Sequence, residues 1–461
     1  MSHTAENEEL FSRAPILRAV TALVVPTVVS QLITVLYNMA DTFFIGQIGD
    51  PNQVAAVSLC MPMFLFLTGL ANLFGIGGAS LISRSLGAGD LARARRAAAF
   101  SFYAALAVSL LYGLGLYAFS PLVLPAVGAN AETYAFCRSY VLWTIALGSV
   151  PTVLSQELAH LLRSLGDSRR ASFGLAMGGI LNMILDPIFI LAFRWEIAGA
   201  AIATLLSNVI ATLYFLQRIL RKGEGKAELS LSPRDFGFSG GIPKEVLLVG
   251  LPSCAMNMTS VLSNIVLNRL LVFYSNAAVA GIGVAKKIDM LSFALATGMS
   301  QGVLPLIGYN YAAGNFRRML SAIRTTFALS LGVAVVSATL LFTCAGPIVR
   351  AFIDDAQTVA YGQYFQRVIC ITGPCISVTM LIITIFQSVG RKVQPLVLSL
   401  LRKGGLDIPF MFLMNALAGL NGIVWATPIA DFLAMSVSLS LFLPFWRKLL
   451  RRIQEKEPRE S

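Results

Sequence analysis

Charge is scarce in this sequence: Asp, Glu, Lys and Arg make up 13% of its 461 residues, about half the share of an ordinary soluble domain. Too few ionic groups are present to clothe a water-facing surface of this size. Histidine is scarcer still, with two residues, and the cysteines Cys60, Cys137, Cys254, Cys344, Cys370 and Cys375 show no CxxC spacing. Zinc and disulfide frameworks are thereby excluded, and buried reduced thiols are the expectation. Walker, HExxH and GxSxG motifs are missing, and Gly75-Ile76-Gly77-Gly78 sits inside an apolar stretch rather than after a strand. Neither an enzyme nor a cofactor is expected, so an ion gradient must supply the energy for any work.

Apolar sequence fills the space that charge leaves. Hydrophobic residues reach 56% and the mean hydropathy is +0.74. A helix crosses a bilayer with about 20 mostly apolar residues. Twelve such stretches are expected near 19–48, 54–83, 97–127, 139–162, 171–193, 197–217, 246–273, 277–311, 325–349, 368–390, 395–417 and 422–446. The fold class is therefore an all-α polytopic membrane protein, in contact with membrane lipid. The net charge of +12 has a topological origin: with a cytoplasmic N-terminus, the inner segments hold 26 Lys and Arg and the outer segments four. This bias predicts a plasma (inner) membrane protein with both termini in the cytoplasm, and no nucleic-acid partner. The acidic first segment has no signal-peptide pattern, so none is expected to be cleaved.

The chain repeats itself. Residues 26–89 align with 252–314 through one single-residue gap, pairing Gln31 with Asn257, Asn38 with Asn264, and LISRSLGAGD (81–90) with LIGYNYAAGN (306–315). Further on, RSLG (163–166) matches QSVG (387–390), Asp186-Pro187 matches Ile408-Pro409, and GAAIAT (199–204) matches GIVWAT (422–427). Two six-span lobes are expected, residues 1–220 and 246–461, joined by a polar cytoplasmic linker at 221–245. Because each repeat has six spans, both keep one orientation about an axis along the membrane normal, with a cavity between them.

Ionisable groups inside a membrane are costly and mark function. The first lobe places the acids Asp41, Glu157 and Asp186 in the body of its spans with no Lys or Arg, whereas the second mixes Arg269, Lys286, Lys287, Arg402 and Lys403 with Asp289, Asp407 and Asp431. A desolvated carboxylate lacking a cation partner favours its neutral form, which suits proton uptake and release. Tyr37 precedes Asp41 by one helical turn, with Asn38 three residues before the acid, and Asn182 precedes Asp186 at the same i,i+4 spacing. A hydrogen-bonded network responsive to protonation follows, and the oxygens of Asp41, Asp186 and Asn182 would equally suit sodium. Pro26, four turns before Asp41, is a candidate hinge. Gln31, Asn257, Met39, Met61, Met177, Met256 and Glu157 are candidates for the wall of a substrate cavity, with Glu157 close enough to the inner boundary to snorkel. In the second lobe, Lys403 and Asp407 stand at i,i+4 and are expected to pair.

PTVVSQLITVLYNMADTFFIG (26–46), GAGD (87–90) with AAGN (312–315), and LNMILDPIFI (181–190) resemble the multidrug and toxic compound extrusion (MATE) family, in particular its MepA-like bacterial members. The likeness spans essentially the whole chain. It implies antiport of amphipathic, often cationic small molecules against protons or sodium by alternating access, by a protein working as a monomer. It also implies that Asp41 couples the ion, that Tyr37, Asn182, Asp186 and Thr204 complete an amino-terminal network, and that Pro26 bends. Acids that one branch of the family carries in its seventh and tenth helices are missing from 246–273 and 368–390. A flippase for a lipid-linked glycan, from the same broad superfamily, is the alternative.

Overall fold

The structure is a computed structural model that describes residues 9–220, 229–352 and 355–455, apart from the side chain of Asn276. Residues 221–228 of the expected linker lie outside them. All regular structure among the described residues is helical. The main helices are α1 (Ile16–Gly46), α2 (Pro51–Gly87), α3 (Leu91–Ala118), α4 (Tyr134–Val141), α5 (Ser149–Ser164), α6 (Ser168–Pro187) and α7 (Glu196–Leu220), followed by α8 (Ile242–Val272), α9 (Asn276–Ala312), α10 (Phe316–Thr343), α11 (Ala356–Cys370), α12 (Gly373–Ser388), α13 (Val393–Leu400) and α14 (Ile408–Glu455).

Nine helices among the described residues are long and apolar enough to cross a membrane, or ten if α11 and α12, bent by 44° at their junction, form one broken span. The Val393–Glu455 run counts once although Ala418 (φ −139°) and Gly419 (φ 57°) interrupt it. The stretch expected at 139–162 is built from shorter pieces, α4, a π-helical turn at Leu142–Ala146, and α5. Helix α1 runs through Pro26 as a single element.

Repeated sequence becomes repeated turns. After α2, Gly89 adopts φ 76°, its N–H donates to Leu86 O at 3.0 Å and that of Asp90 to Ser85 O at 2.9 Å. After α9, Gly314 adopts φ 72° and the Asn315 N–H donates to Asn310 O at 2.9 Å. These are left-handed helix closures that glycine makes without steric cost. Asp90 then caps α3, accepting from the Arg93 N–H at 2.9 Å. The RSLG and QSVG segments close in the same way at Gly166 and Gly390.

The chain forms two compact units, one of Leu32–Asn257 and one of the residues up to Gln31 together with those from Met258 onward. They follow the two repeats except for an exchange of segments: α1 up to Gln31 belongs with the second repeat, and α8 up to Asn257 with the first. The exchange points are the two residues that the repeat aligns. Small residues explain the packing in each case. A Cβ on Gly302 of α9 would stand 2.8 Å from Val24 Cα, and one on the equivalent Gly77 of α2 would strike the Val246 carbonyl. In the Leu32–Asn257 unit, residues after 229 pack on α3, with the Tyr103 hydroxyl donating to Leu231 O at 2.8 Å and Glu245 binding Arg93 at 2.6 Å and Arg84 at 3.2 Å.

The cysteine expectation requires correction. All six are free, but only Cys60, Cys137 and Cys370 are buried, while Cys344 is exposed.

Candidate functional site

Within the Leu32–Asn257 unit, α1, α6 and α7 bring the expected network together. Asn182 Nδ2 donates toward Asp186 Oδ1 at 3.4 Å and Thr204 Oγ1 at 3.3 Å, so one amide bridges α6 and α7. Asp186 is fully buried and Asn182 nearly so. Tyr37 of α1 lies against Gly179 of α6, where a Cβ would come within 2.9 Å of its ring. Asp41 is half-buried and near enough to Asp186 for the two carboxylates to interact electrostatically. Both acids act on the Tyr37 hydroxyl.

The hydrogen-bond balance decides what this arrangement can do. Asp41 Oδ1, Asp186 Oδ2 and Asn182 Oδ1 are buried without a donor, and no Lys or Arg pairs with either acid among the described residues. Acceptors in excess of donors, in a medium that cannot solvate them, form a receptor for one more proton or for a hard cation. The Asn38 amide donates to Thr34 O at 2.7 Å, and its side chain also interacts with the Tyr37 hydroxyl.

Tyr140, on α4, is the member that sequence reasoning missed. It is 8% exposed and lies in the field of Asp41, Asp186 and Tyr37. Nothing in its local spacing links it to residues a hundred positions away. Glu157 also departs from expectation. It does not snorkel: its side chain is fully buried and both carboxylate oxygens lack a hydrogen-bond partner. The cause is tight packing of α5 on α2, where a Cβ on Gly75 would lie 3.2 Å from Glu157 Cα and 2.8 Å from the His160 ring.

The remaining cavity candidates differ in exposure and in hydrogen bonding. Met61 is 44% exposed, and Met39, Met177 and Met256 are half-buried. Gln31 donates to Gln301 Oε1 at 3.0 Å, while Asn257 Nδ2 is buried without an acceptor.

In the other unit, Asp407 and Asp431 are each paired with a cation. Arg402 Nε donates to Asp431 Oδ1 at 2.7 Å with both side chains buried, and Lys403 Nζ to Asp407 Oδ2 at 3.1 Å. Ser263 adds a third hydrogen bond, to Asp407 Oδ2 at 2.6 Å. Arg402, Lys403 and Asp407 all sit on a π-helical segment, Leu401–Asp407.

One family model, MatE, matches the chain twice, over residues 26–188 and 252–413. The chain belongs to the MatE family. Its fold and composition make it a multi-pass membrane transporter, and MATE proteins are not enzymes. It is 30% identical over 435 residues to the multidrug export protein MepA of Staphylococcus aureus, covering 94% of this chain and 95% of that one. The MepA of Staphylococcus saprophyticus is 30% identical over 434 residues, with the same coverage. A MATE protein crystallised in complex with MaL6 superposes with a TM-score of 0.90 at 24% identity, covering 97% of this chain and 99% of that one. A multidrug resistance MATE family transporter of the MOP superfamily, in an outward-facing conformation, gives 0.87 at 25% identity over 97% and 98%.

Proposed function

We propose that this MATE transporter is a cation-coupled antiporter that exports amphipathic, often cationic compounds from the cytoplasm by alternating access. The observation that carries the reading is the cluster of donorless oxygens on Asp41, Asp186 and Asn182. An ion entering this cluster stabilises it, and the same ion leaving restores a carboxylate able to attract cationic substrate. The relatives named as multidrug export proteins support the choice of substrate. Tyr37 and Tyr140 lie in the field of the acids, Thr204 accepts from the Asn182 amide that also bonds Asp186, and Pro26 is the point at which the continuous helix α1 would bend to respond. The excess of inner Lys and Arg supports an inner-membrane protein with cytoplasmic termini.

The test is transport in proteoliposomes with proton and sodium gradients imposed independently. Movement of a fluorescent lipophilic cation against the direction of one gradient is expected, stopping when that gradient is collapsed. Dye flux indifferent to both gradients would remove the coupling claim.

A further inference from the structure

Helix α9 is mostly enclosed, with 67% of its apolar window buried, yet one face of it is open. Gly283 and Met290 are exposed, a Cβ on Gly283 would meet nothing within 4 Å, and Lys286 and Lys287 are half-buried between them. These positions recur at the spacing of a single helix face. Counted back from the matching GAGD and AAGN turns, Lys286 takes the register of Met61 and Asp289 that of Phe64. The repeat has therefore exchanged an apolar pair for a charged one.

Lys286 and Asp289 are one turn apart, with Cβ atoms roughly 5–6 Å from each other on such a spacing. Among the described residues they form no ion pair, and Asp289 Oδ1 is buried without a donor. Apart from each other, the charged groups recorded in their field among the described residues are already paired. Lys286 lies in the field of Lys403, Asp407, Asp289 and Asp431, and Asp289 in that of Lys286, Lys403, Asp431 and Arg402. Of these, Arg402 holds Asp431, and Lys403 holds Asp407. One cation and one anion remain side by side at the edge of open space. In a membrane protein such groups are expensive unless something completes them.

We infer that Lys286 and Asp289 form a receptor for the dipolar head of a zwitterionic amphiphile, its carboxylate on Lys286 Nζ and its ammonium on Asp289. Phe293, over which the Arg402 guanidinium lies at 5.9 Å, and Met290 offer apolar surface on the same helix for the body of the ligand. This rests on the reading of the protein as an exporter of amphipathic compounds and names a charge class within it.

Three fluorescent probes of one skeleton separate the charges: Nε-dansyl-lysine, a zwitterion; its methyl ester, a cation; and its Nα-acetyl derivative, an anion. The purified wild-type protein should bind and transport the zwitterion in preference to the other two. Lys286→Met should weaken the zwitterion on the order of tenfold, as expected for one charge-assisted hydrogen bond, and leave the ester unchanged. Asp289→Asn should weaken the zwitterion similarly and leave the acetyl derivative unchanged, while Lys286→Arg should keep the wild-type order. Equal handling of the three probes by the wild-type protein overturns the inference, whatever the variants do. So does a Lys286→Met variant that loses zwitterion and ester alike, because that marks a purely structural lysine. A plain lipophilic cation dye, measured in parallel, reports failure of the export reading separately.

Discussion

In the Leu32–Asn257 unit, Asp41, Asp186 and Glu157 have no Lys or Arg partner among the described residues, and each keeps at least one buried oxygen without a donor. From Met258 onward, Asp407 and Asp431 also keep one such oxygen each, but a cation from the Leu401–Asp407 segment holds the other. Among the described residues the only acid there that combines a donorless buried oxygen with no salt bridge is Asp289. One repeat has therefore evolved two electrostatic solutions. An acid whose counter-charge must come from solution changes state when an ion arrives or leaves, whereas an acid with a tethered counter-charge keeps the same state throughout. The first arrangement suits exchange and the second suits a fixed scaffold.

The largest effect expected from this contrast is on stability. Arg402→Met strips the partner from Asp431, which is 2% exposed, and loss of one member of a buried pair costs about 3–5 kcal/mol. Thermal and denaturant unfolding of the detergent-solubilised protein should show that loss, and the double variant Arg402→Met, Asp431→Leu should recover most of it. A single variant as stable as wild type would mean that the pair is not the compensation it looks like.

Asp41→Asn removes charge from the other cluster and should do the reverse. With no tethered cation to orphan, it should leave stability unchanged or slightly raised, while gradient-driven dye efflux falls to background. Asp186→Asn should resemble it, and its residual transport should lose the pH dependence of the wild type. Stable variants that still pump at the wild-type rate would erase the functional difference between the units.

Local spacing made part of this legible from sequence. Asn182 and Asp186, and Lys403 and Asp407, stand four residues apart and meet as a helix requires, although Lys403 and Asp407 do so across a π-helical segment. The GAGD and AAGN signatures are helix closures, so a short motif carried its own geometry. Partnerships across long stretches of chain were not legible. Arg402 and Asp431 are 29 residues apart, Tyr140 reaches the acids from another helix, and Glu157 is sealed in by a glycine on α2. Each depends on how whole helices pack, to which periodicity is blind. The exchange of α1 and α8 segments between units escaped for the same reason, although its boundaries fell on the aligned Gln31 and Asn257.

Asn182→Ala should have the smallest effect, and it tests the contrast most finely. The bonds it removes are long, 3.3 and 3.4 Å, so the stability loss should stay near 1 kcal/mol. Its influence on transport should be larger than that figure suggests, because Asn182 Nδ2 is the donor that ties Asp186 to Thr204 and so fixes how the acid presents its donorless oxygen. A several-fold drop in coupled efflux with little change in unfolding is the signature of a residue that positions an exchangeable acid. Equal losses in both would place Asn182 with Ser263 of the other cluster, as one more hydrogen bond in a scaffold.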